Sequence, residues 1–216
     1  ARALRHSVVS RLTRTLGIAI NMSRFTWPTP PLEYFVRELG EGERETVSYR
    51  AERYQFLWAE FGPPADMLLV GGIPSMFALD ELKRSYAYGN YMATVVLAQA
   101  FVEQSLGGMY TLASRDDIVA KGFAALIDQA HQDNQITQQV ADDLHALRRM
   151  RNPYTHHTIG TGKRTYMGRL MDSAPVAPED LVLEDARFAV RAVADFLRAG
   201  NPDWNPTNVQ WHEGDA

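Results

Sequence analysis

Apolar residues recur at helical spacing along most of this 216-residue chain, and this periodicity constrains the fold more than any other feature. Steps of three and four residues separate the apolar positions, which places their side chains on one face of an α-helix. The alternation typical of strands is not evident. The sequence therefore predicts an all-α protein. Helical periodicity covers residues 4–16, 32–39, 47–61, 75–104, 116–132, 137–150 and 188–197.

The length of the helical segments changes near residue 75 and suggests three parts. We predict an N-terminal helical extension over 1–74, a helical bundle over 75–200 and a C-terminal tail over 201–216. Residues 91–102 are apolar on nearly all sides and predict the central core helix. Within 75–104 a bend at Gly89 is an option, whereas Gly107-Gly108 predicts the end of that helix. Residues 157–180 are predicted to be a loop.

Composition excludes several classes of chemistry. The chain has no cysteine, which excludes disulfides, a thiol nucleophile and cysteine-ligated metal sites. The apolar stretch 91–102 is too short to span a bilayer, and Arg11 and Arg14 interrupt the first segment where a secretory signal would need apolar residues. We therefore expect a soluble, cytoplasmic protein without a membrane partner.

Basic residues cluster in one window of an otherwise acidic chain. The formal net charge is −4, yet residues 141–170 contain six basic and two acidic residues. An anion-binding site is therefore expected in this window.

The same window contains an arginine, an asparagine, a proline and a histidine in close succession. The predicted helix extends to Arg151 and Asn152, and Pro153 disfavours helical geometry at the residue before it. A break there would bring Arg151 and His156 to one cleft, and a helix restarting at Pro153 would direct its amides to the same anion. Histidine can take a proton from a ribose 2′-hydroxyl, and arginine can bind the phosphate.

At Arg151, Asn152 and His156 the sequence resembles the HEPN superfamily, whose hallmark is arginine, a polar residue and, four to six residues on, histidine. The resemblance covers about residues 75–200. It implies a HEPN-like helical bundle and a metal-independent endoribonuclease, commonly a toxin or phage-defence effector, with its site where two protomers meet. Members regulated by an adenylyl-transferring antitoxin often carry tyrosine two residues after the histidine, where this chain has Thr158.

The resemblance assigns roles within this window. His156 would be the general acid/base, Arg151 the phosphate clamp, and Asn152 would orient the substrate or the histidine. Four further residues are candidates for substrate binding: Arg148, His157, Lys163 and Arg164. We expect no metal and no cofactor. The expected partners are an RNA substrate, a second copy of the chain in a homodimer, and an antitoxin or other regulatory protein.

Interpretations without a catalytic role remain open for the same residues. Arg151 and Asn152 could cap the preceding helix, with His156 on the surface. Arg148 and Arg149 could form a solvated helix face, and Arg169 could be an exposed loop charge like Lys163 and Arg164. A metal site is an alternative use of Asp142, His145, His156 and His157. The alternative function is a non-catalytic helical module that binds a protein partner or a nucleotide through its N-terminal extension.

Overall fold

The computed structural model describes residues 32–62, 71–156, 162, 165–172 and 177–200, and every regular element in those ranges is an α-helix. This confirms the predicted all-α class. In chain order the helices are α1 (Leu32–Phe61), α2 (Gly72–Ala87), α3 (Tyr91–Leu112), α4 (Asp116–Val119), α5 (Phe123–Gln132), α6 (Gln138–Thr155), α7 (Tyr166–Asp172) and α8 (Pro178–Gly200).

The chain divides into two compact units, residues 1–45 and 46–216. In the first unit the described residues are 32–45, the N-terminal half of α1. The contacts discussed below all lie in the second unit. The helix predicted over 4–16 and the tail 201–216 lie outside the described residues, and the predicted three-part division stays a prediction.

Helix α3 forms the centre of the second unit, as predicted for residues 91–102. It packs against α2, α4, α5, α6 and α8. Its residues Val95, Ala98, Phe101 and Val102 have no exposed surface, so their apolar side chains are fully removed from water. Helices α6 and α8 also pack against each other, which makes α3, α6 and α8 mutually contacting elements.

The end of α1 joins this core through apolar and charged contacts. Leu57 and Phe61 belong to the same buried cluster as the side chains of α3. On α8, Arg198 Nη2 donates to the backbone carbonyl of Glu60 at 2.6 Å, and Arg191 Nε donates to the Glu60 carboxylate at 3.3 Å. The final turn of α1 is therefore bound to α8.

Two glycines with positive φ separate consecutive helices in this chain. The predicted helical stretch over 75–104 is interrupted at Gly89 (φ +79°), where a bend was an option: the chain reverses there, and α2 packs along α3. Gly122 (φ +84°) likewise divides the predicted helix over 116–132 into α4 and α5. The predicted end at Gly107-Gly108 is also wrong, since α3 continues through both to Leu112. Glycine costs a helix only about 1 kcal/mol, which packing can offset.

The predicted loop over 157–180 is wrong in part, because α7 and the first residues of α8 lie within it. Among the residues that the structure describes, no helix is both long enough and apolar enough to cross a membrane.

Candidate functional site

Helix α6 carries the arginine–histidine motif at its C-terminal end. The helix begins as predicted, because Oγ1 of Thr137 accepts a hydrogen bond from the Val140 N–H at 3.3 Å and so caps its first turn. Val140, Leu144 and Leu147 form its buried face. Since α6 packs against α3, α5 and α8, these contacts determine which face remains open to solvent.

Pro153 does not end the helix. Helix α6 continues through Pro153 to Thr155, and the His156 N–H donates to the Asn152 carbonyl at 3.0 Å, as in a helix. The fixed φ of proline is compatible with helix, although proline has no N–H to donate to the carbonyl of Arg149. The predicted break and restart at Pro153 are therefore wrong, and Pro153 provides no helix N-terminus for an anion.

Arg151 and His156 come together where α6 ends. Nη1 of Arg151 lies 3.2 Å from Nε2 of His156. Residues five apart in a continuous helix would point about 140° apart, but His156 has left helical geometry, with φ −125° and ψ 133°. A guanidinium can only donate hydrogen bonds, so a hydrogen bond at this contact requires Nε2 to accept through its lone pair, with the ring proton on Nδ1. In this geometry His156 holds the lone pair that a general base needs.

The pair belongs to a polar face of α6. Arg148, Arg151, Asn152 and Thr155 are separated by three and four residues and are therefore neighbours on the helix surface. Nη1 of Arg151 also donates to Oγ1 of Thr155 at 3.3 Å. Asn152 and His156 are exposed, whereas Arg148 is partly buried and its Nε is buried without a hydrogen-bond partner. This face presents two guanidinium groups and one imidazole to an incoming anion.

A buried hydrogen-bond network lies behind the exposed pair, and we call it the Asp185 network. It consists of Tyr154 on α6, Arg169 on α7 and Asp185 on α8. The Tyr154 hydroxyl donates to Oδ2 of Asp185 at 2.6 Å, and Arg169 donates to both carboxylate oxygens, each at 2.6 Å. Asp185 is only 2% exposed. The carboxylate thus binds the last turn of α6 and helix α7 at once.

The network perturbs two ionisation equilibria. Burial raises the pKa of Tyr154 above its usual value, and the hydrogen bond to Asp185 raises it further. The two hydrogen bonds that Arg169 donates to Asp185 raise the pKa of Arg169. Both shifts favour a neutral phenol and a charged guanidinium around one carboxylate.

The Asp185 network was not predicted as a unit, although the sequence contains signals for it. The interpretation of Arg169 as an exposed loop charge is wrong, since this residue lies in α7 and pairs with the buried carboxylate of Asp185. Asp185 follows Leu181 by four residues and precedes Ala189 by four, so it occupies an inward position of an amphipathic helix. Tyr154 follows buried Leu147 by seven residues and continues that buried face. A buried acid and a buried phenol both require hydrogen-bond partners.

The remaining candidates from the sequence are three substrate-binding residues and an alternative metal-ligand set. His157, Lys163 and Arg164 lie outside the described residues. Two residues of the alternative metal-ligand set have other partners. Nε2 of His145 contacts Asp128 at 3.0 Å, and Asp142 accepts from Gln138 at 2.9 Å. Within the described ranges, no three histidine, aspartate or glutamate side chains are grouped so that they could hold a metal ion.

Comparison with known protein families, curated proteins and solved structures gives no match for this chain.

Proposed function

We propose that this chain is a metal-independent endoribonuclease of HEPN type, and that Arg151 and His156 form its reactive pair. The single observation that carries the proposal is the 3.2 Å contact between Nη1 of Arg151 and Nε2 of His156 on an exposed helix end. This contact places a guanidinium, which can bind phosphate, beside an imidazole, which can act as a base. The contact is exposed, so an RNA chain can reach it. The HEPN-like bundle architecture is part of the same proposal.

The reaction is a transesterification within the RNA chain. Nε2 of His156 takes the proton of a ribose 2′-hydroxyl, the 2′-oxygen bonds to phosphorus, and the bond from phosphorus to the 5′-oxygen breaks. Arg151 binds the non-bridging oxygens and stabilises the charge that develops on them. The products are a 2′,3′-cyclic phosphate and a 5′-hydroxyl, whose oxygen takes a proton from a second donor.

Substrate binding also explains how the base becomes available. Arg151 donates to Nε2 of His156 before substrate arrives, so the lone pair of the imidazole is occupied. A phosphate accepts strongly from guanidinium and competes for the same N–H groups. When Arg151 turns to the phosphate, Nε2 is released at the position where the 2′-hydroxyl must lie.

Arg148 extends the anion-binding face beyond the reacting phosphate. It lies one helical turn before Arg151 and Asn152 on the polar face of α6 and is partly exposed, although its Nε is buried. Its guanidinium carries a permanent positive charge and is suited to binding a neighbouring phosphate of the RNA. Asn152, His157, Lys163 and Arg164 keep their predicted roles as proposals.

A homodimer would complete the site. The attacking and leaving oxygens lie on opposite sides of phosphorus, and one histidine reaches only one of them. A symmetric dimer that places two α6 ends together would bring a second arginine–histidine pair to the other side. An antitoxin or regulatory protein that covers this exposed helix end would then inhibit cleavage.

The decisive experiment incubates purified protein with single-stranded RNA in EDTA and identifies the ends of the products. We expect cleavage that leaves a 2′,3′-cyclic phosphate, and no cleavage where a 2′-deoxy residue replaces the ribose at the cut site. His145→Ala is the matched control, because His145 is on the same helix but pairs with Asp128. No cleavage of any RNA, or equal cleavage by wild type, Arg151→Ala and His156→Ala, would refute the proposal.

A non-catalytic partner-binding module is the second candidate, and one observation favours it. Val47, Tyr54 and Trp58 are spaced by seven and four residues along α1 and are 57%, 52% and 42% exposed. Such a stripe is suited to an apolar face of a protein partner. A partner captured equally by wild type and His156→Ala but lost in Tyr54→Ser, without RNA cleavage by any of them, would support this candidate.

A further inference from the structure

The last turn of α6 is a weak point in the backbone beneath the reactive pair. Pro153 cannot donate to the carbonyl of Arg149, so this turn has one backbone hydrogen bond fewer than a regular helix end. Helix ends also fray more readily than interiors. Yet His156 must leave the helix at one defined place to lie beside Arg151.

Tyr154 is the residue of this turn that reaches into the protein. Its hydroxyl donates to Asp185 at 2.6 Å, and its ring lies 6.0 Å from the ring of Tyr166. Tyr166 is itself held by a hydrogen bond from its hydroxyl to the Pro178 carbonyl at 2.7 Å. The weakened turn is therefore fixed by a side chain instead of by the backbone.

Asp185 can serve as this anchor because Arg169 neutralises it. A carboxylate that is 2% exposed would be unstable without an opposite charge. Two hydrogen bonds from Arg169 satisfy it and fix the orientation of the carboxylate, and Oδ2 still accepts from Tyr154. The acceptor is thus rigid before the last turn of α6 binds to it.

We infer that Asp185 is a positioning residue: through Tyr154 it holds the last turn of α6, so that His156 ends the helix beside Arg151. Asp185 accepts the hydrogen bond from Tyr154, and Tyr154 is two residues before His156 along the backbone. Asp185 touches neither Arg151 nor the substrate. Its importance for catalysis depends on the proposed ribonuclease activity, whereas its effect on the position of His156 does not.

The first test measures that position by NMR. The imidazole resonances of His156 are recorded in wild type, in Arg151→Ala, which removes the contact, and in Tyr154→Phe, which removes only the hydroxyl. We expect Tyr154→Phe to move the resonances towards those of Arg151→Ala. Tyr110→Phe is the matched control, because it removes a hydroxyl that donates to another carboxylate, Asp133, at 2.9 Å. Unchanged resonances in Tyr154→Phe, or equal movement in Tyr110→Phe, would overturn the inference.

A second variant tests the part assigned to Pro153. Pro153→Ala restores the missing N–H, so combining it with Tyr154→Phe should return the His156 resonances towards those of wild type. Failure of the double variant to recover any of the change would count against the weak turn as the reason for the anchor.

The third readout is kinetic and separates positioning from binding. For RNA cleavage we expect Tyr154→Phe to lower kcat by about tenfold to 100-fold while KM stays unchanged, since small misplacements of a catalytic group have costs of this size. A higher KM with unchanged kcat would contradict positioning. If wild type cleaves no RNA, the proposed function fails, and the NMR comparison still decides whether Asp185 positions His156.

Discussion

Nη1 of Arg151 lies 3.2 Å from Nε2 of His156, at a helix end held from behind by a buried carboxylate. The planar guanidinium can donate to this nitrogen and then to two phosphate oxygens. A lysine ammonium carries the same charge but lacks the planar arrangement of N–H donors. The contact therefore predicts that geometry, as well as charge, matters at position 151.

Arg151→Lys is expected to lower kcat/KM for RNA cleavage by about tenfold or more, because one charge-assisted hydrogen bond contributes roughly 1.5 kcal/mol or more. Initial rates on a short labelled RNA provide the measurement. Arg149→Lys is the control, since residue 149 points about 160° away from residue 151 on the helix. Equal activity of Arg151→Lys and wild type would contradict a bidentate role.

Arg148→Ala should weaken RNA binding without changing kcat. Loss of one phosphate contact should make the slope of log affinity against log salt shallower by about 0.7 for single-stranded RNA. Fluorescence anisotropy in a His156→Ala background measures binding without cleavage. Arg149→Ala should leave the slope unchanged, and an identical slope in both variants would remove Arg148 from the binding face.

Asp185→Asn is expected to lower the free energy of unfolding by about 3 to 5 kcal/mol, because Arg169 would be left as an uncompensated, partly buried charge. Urea denaturation followed by circular dichroism measures the change. Adding Arg169→Met should recover part of the loss, since it removes that charge. Asp117→Asn, at an exposed ion pair with Arg115, should have no detectable effect.

Stability should decrease at alkaline pH because of two tyrosines. Burial and hydrogen bonds to carboxylates raise the pKa of both Tyr110 and Tyr154 in the folded state. Their contribution is complete below the unfolded pKa of about 10 and is lost as pH rises from there towards the folded pKa, by about 1.4 kcal/mol per pH unit for each tyrosine.

Unfolding measured at several pH values up to and above 10 tests this expectation. Tyr110→Phe and Tyr154→Phe should each make the decline with pH shallower. A decline that is the same in wild type and in both variants would show that other groups cause it.

Local pattern predicts much of the helical structure of this chain. The three- and four-residue spacing indicates the central helix α3 and the final helix α8, and Thr137 marks the first turn of α6 through its side-chain oxygen. These features depend on residues close in sequence. They can therefore be derived from helix geometry and capping alone.

The effect of helix-breaking residues could not be predicted so well, because packing decides it. Gly89 and Gly122 separate consecutive helices, whereas Gly107 lies within α3 and Pro153 within α6. A glycine or proline lowers helix stability by a limited amount, and tertiary contacts on either side determine the outcome. The same limit explains why Arg151 was expected to meet His156 through a break at Pro153, whereas the helix in fact ends two residues later, at Thr155.

The Asp185 network shows the other limit of sequence analysis. Tyr154 and Asp185 are 31 residues apart, and Arg169 and Asp185 are 16 apart. An acid on an apolar helix face signals that a partner exists but not which residue it is. Only the packing of α6, α7 and α8 identifies Arg169 and Tyr154 as those partners.

The attachment of α1 to α8 has a practical consequence for the design of shorter fragments. A fragment that begins at residue 46 retains Leu57 and Phe61 in the core, together with the Glu60 carbonyl that binds Arg198. A fragment that begins at residue 75 would expose the apolar surface that those two side chains cover and would be prone to aggregate. A fragment designed to contain the proposed reactive pair should therefore start before α1 reaches its apolar contacts, even though Arg151 and His156 lie about a hundred positions downstream.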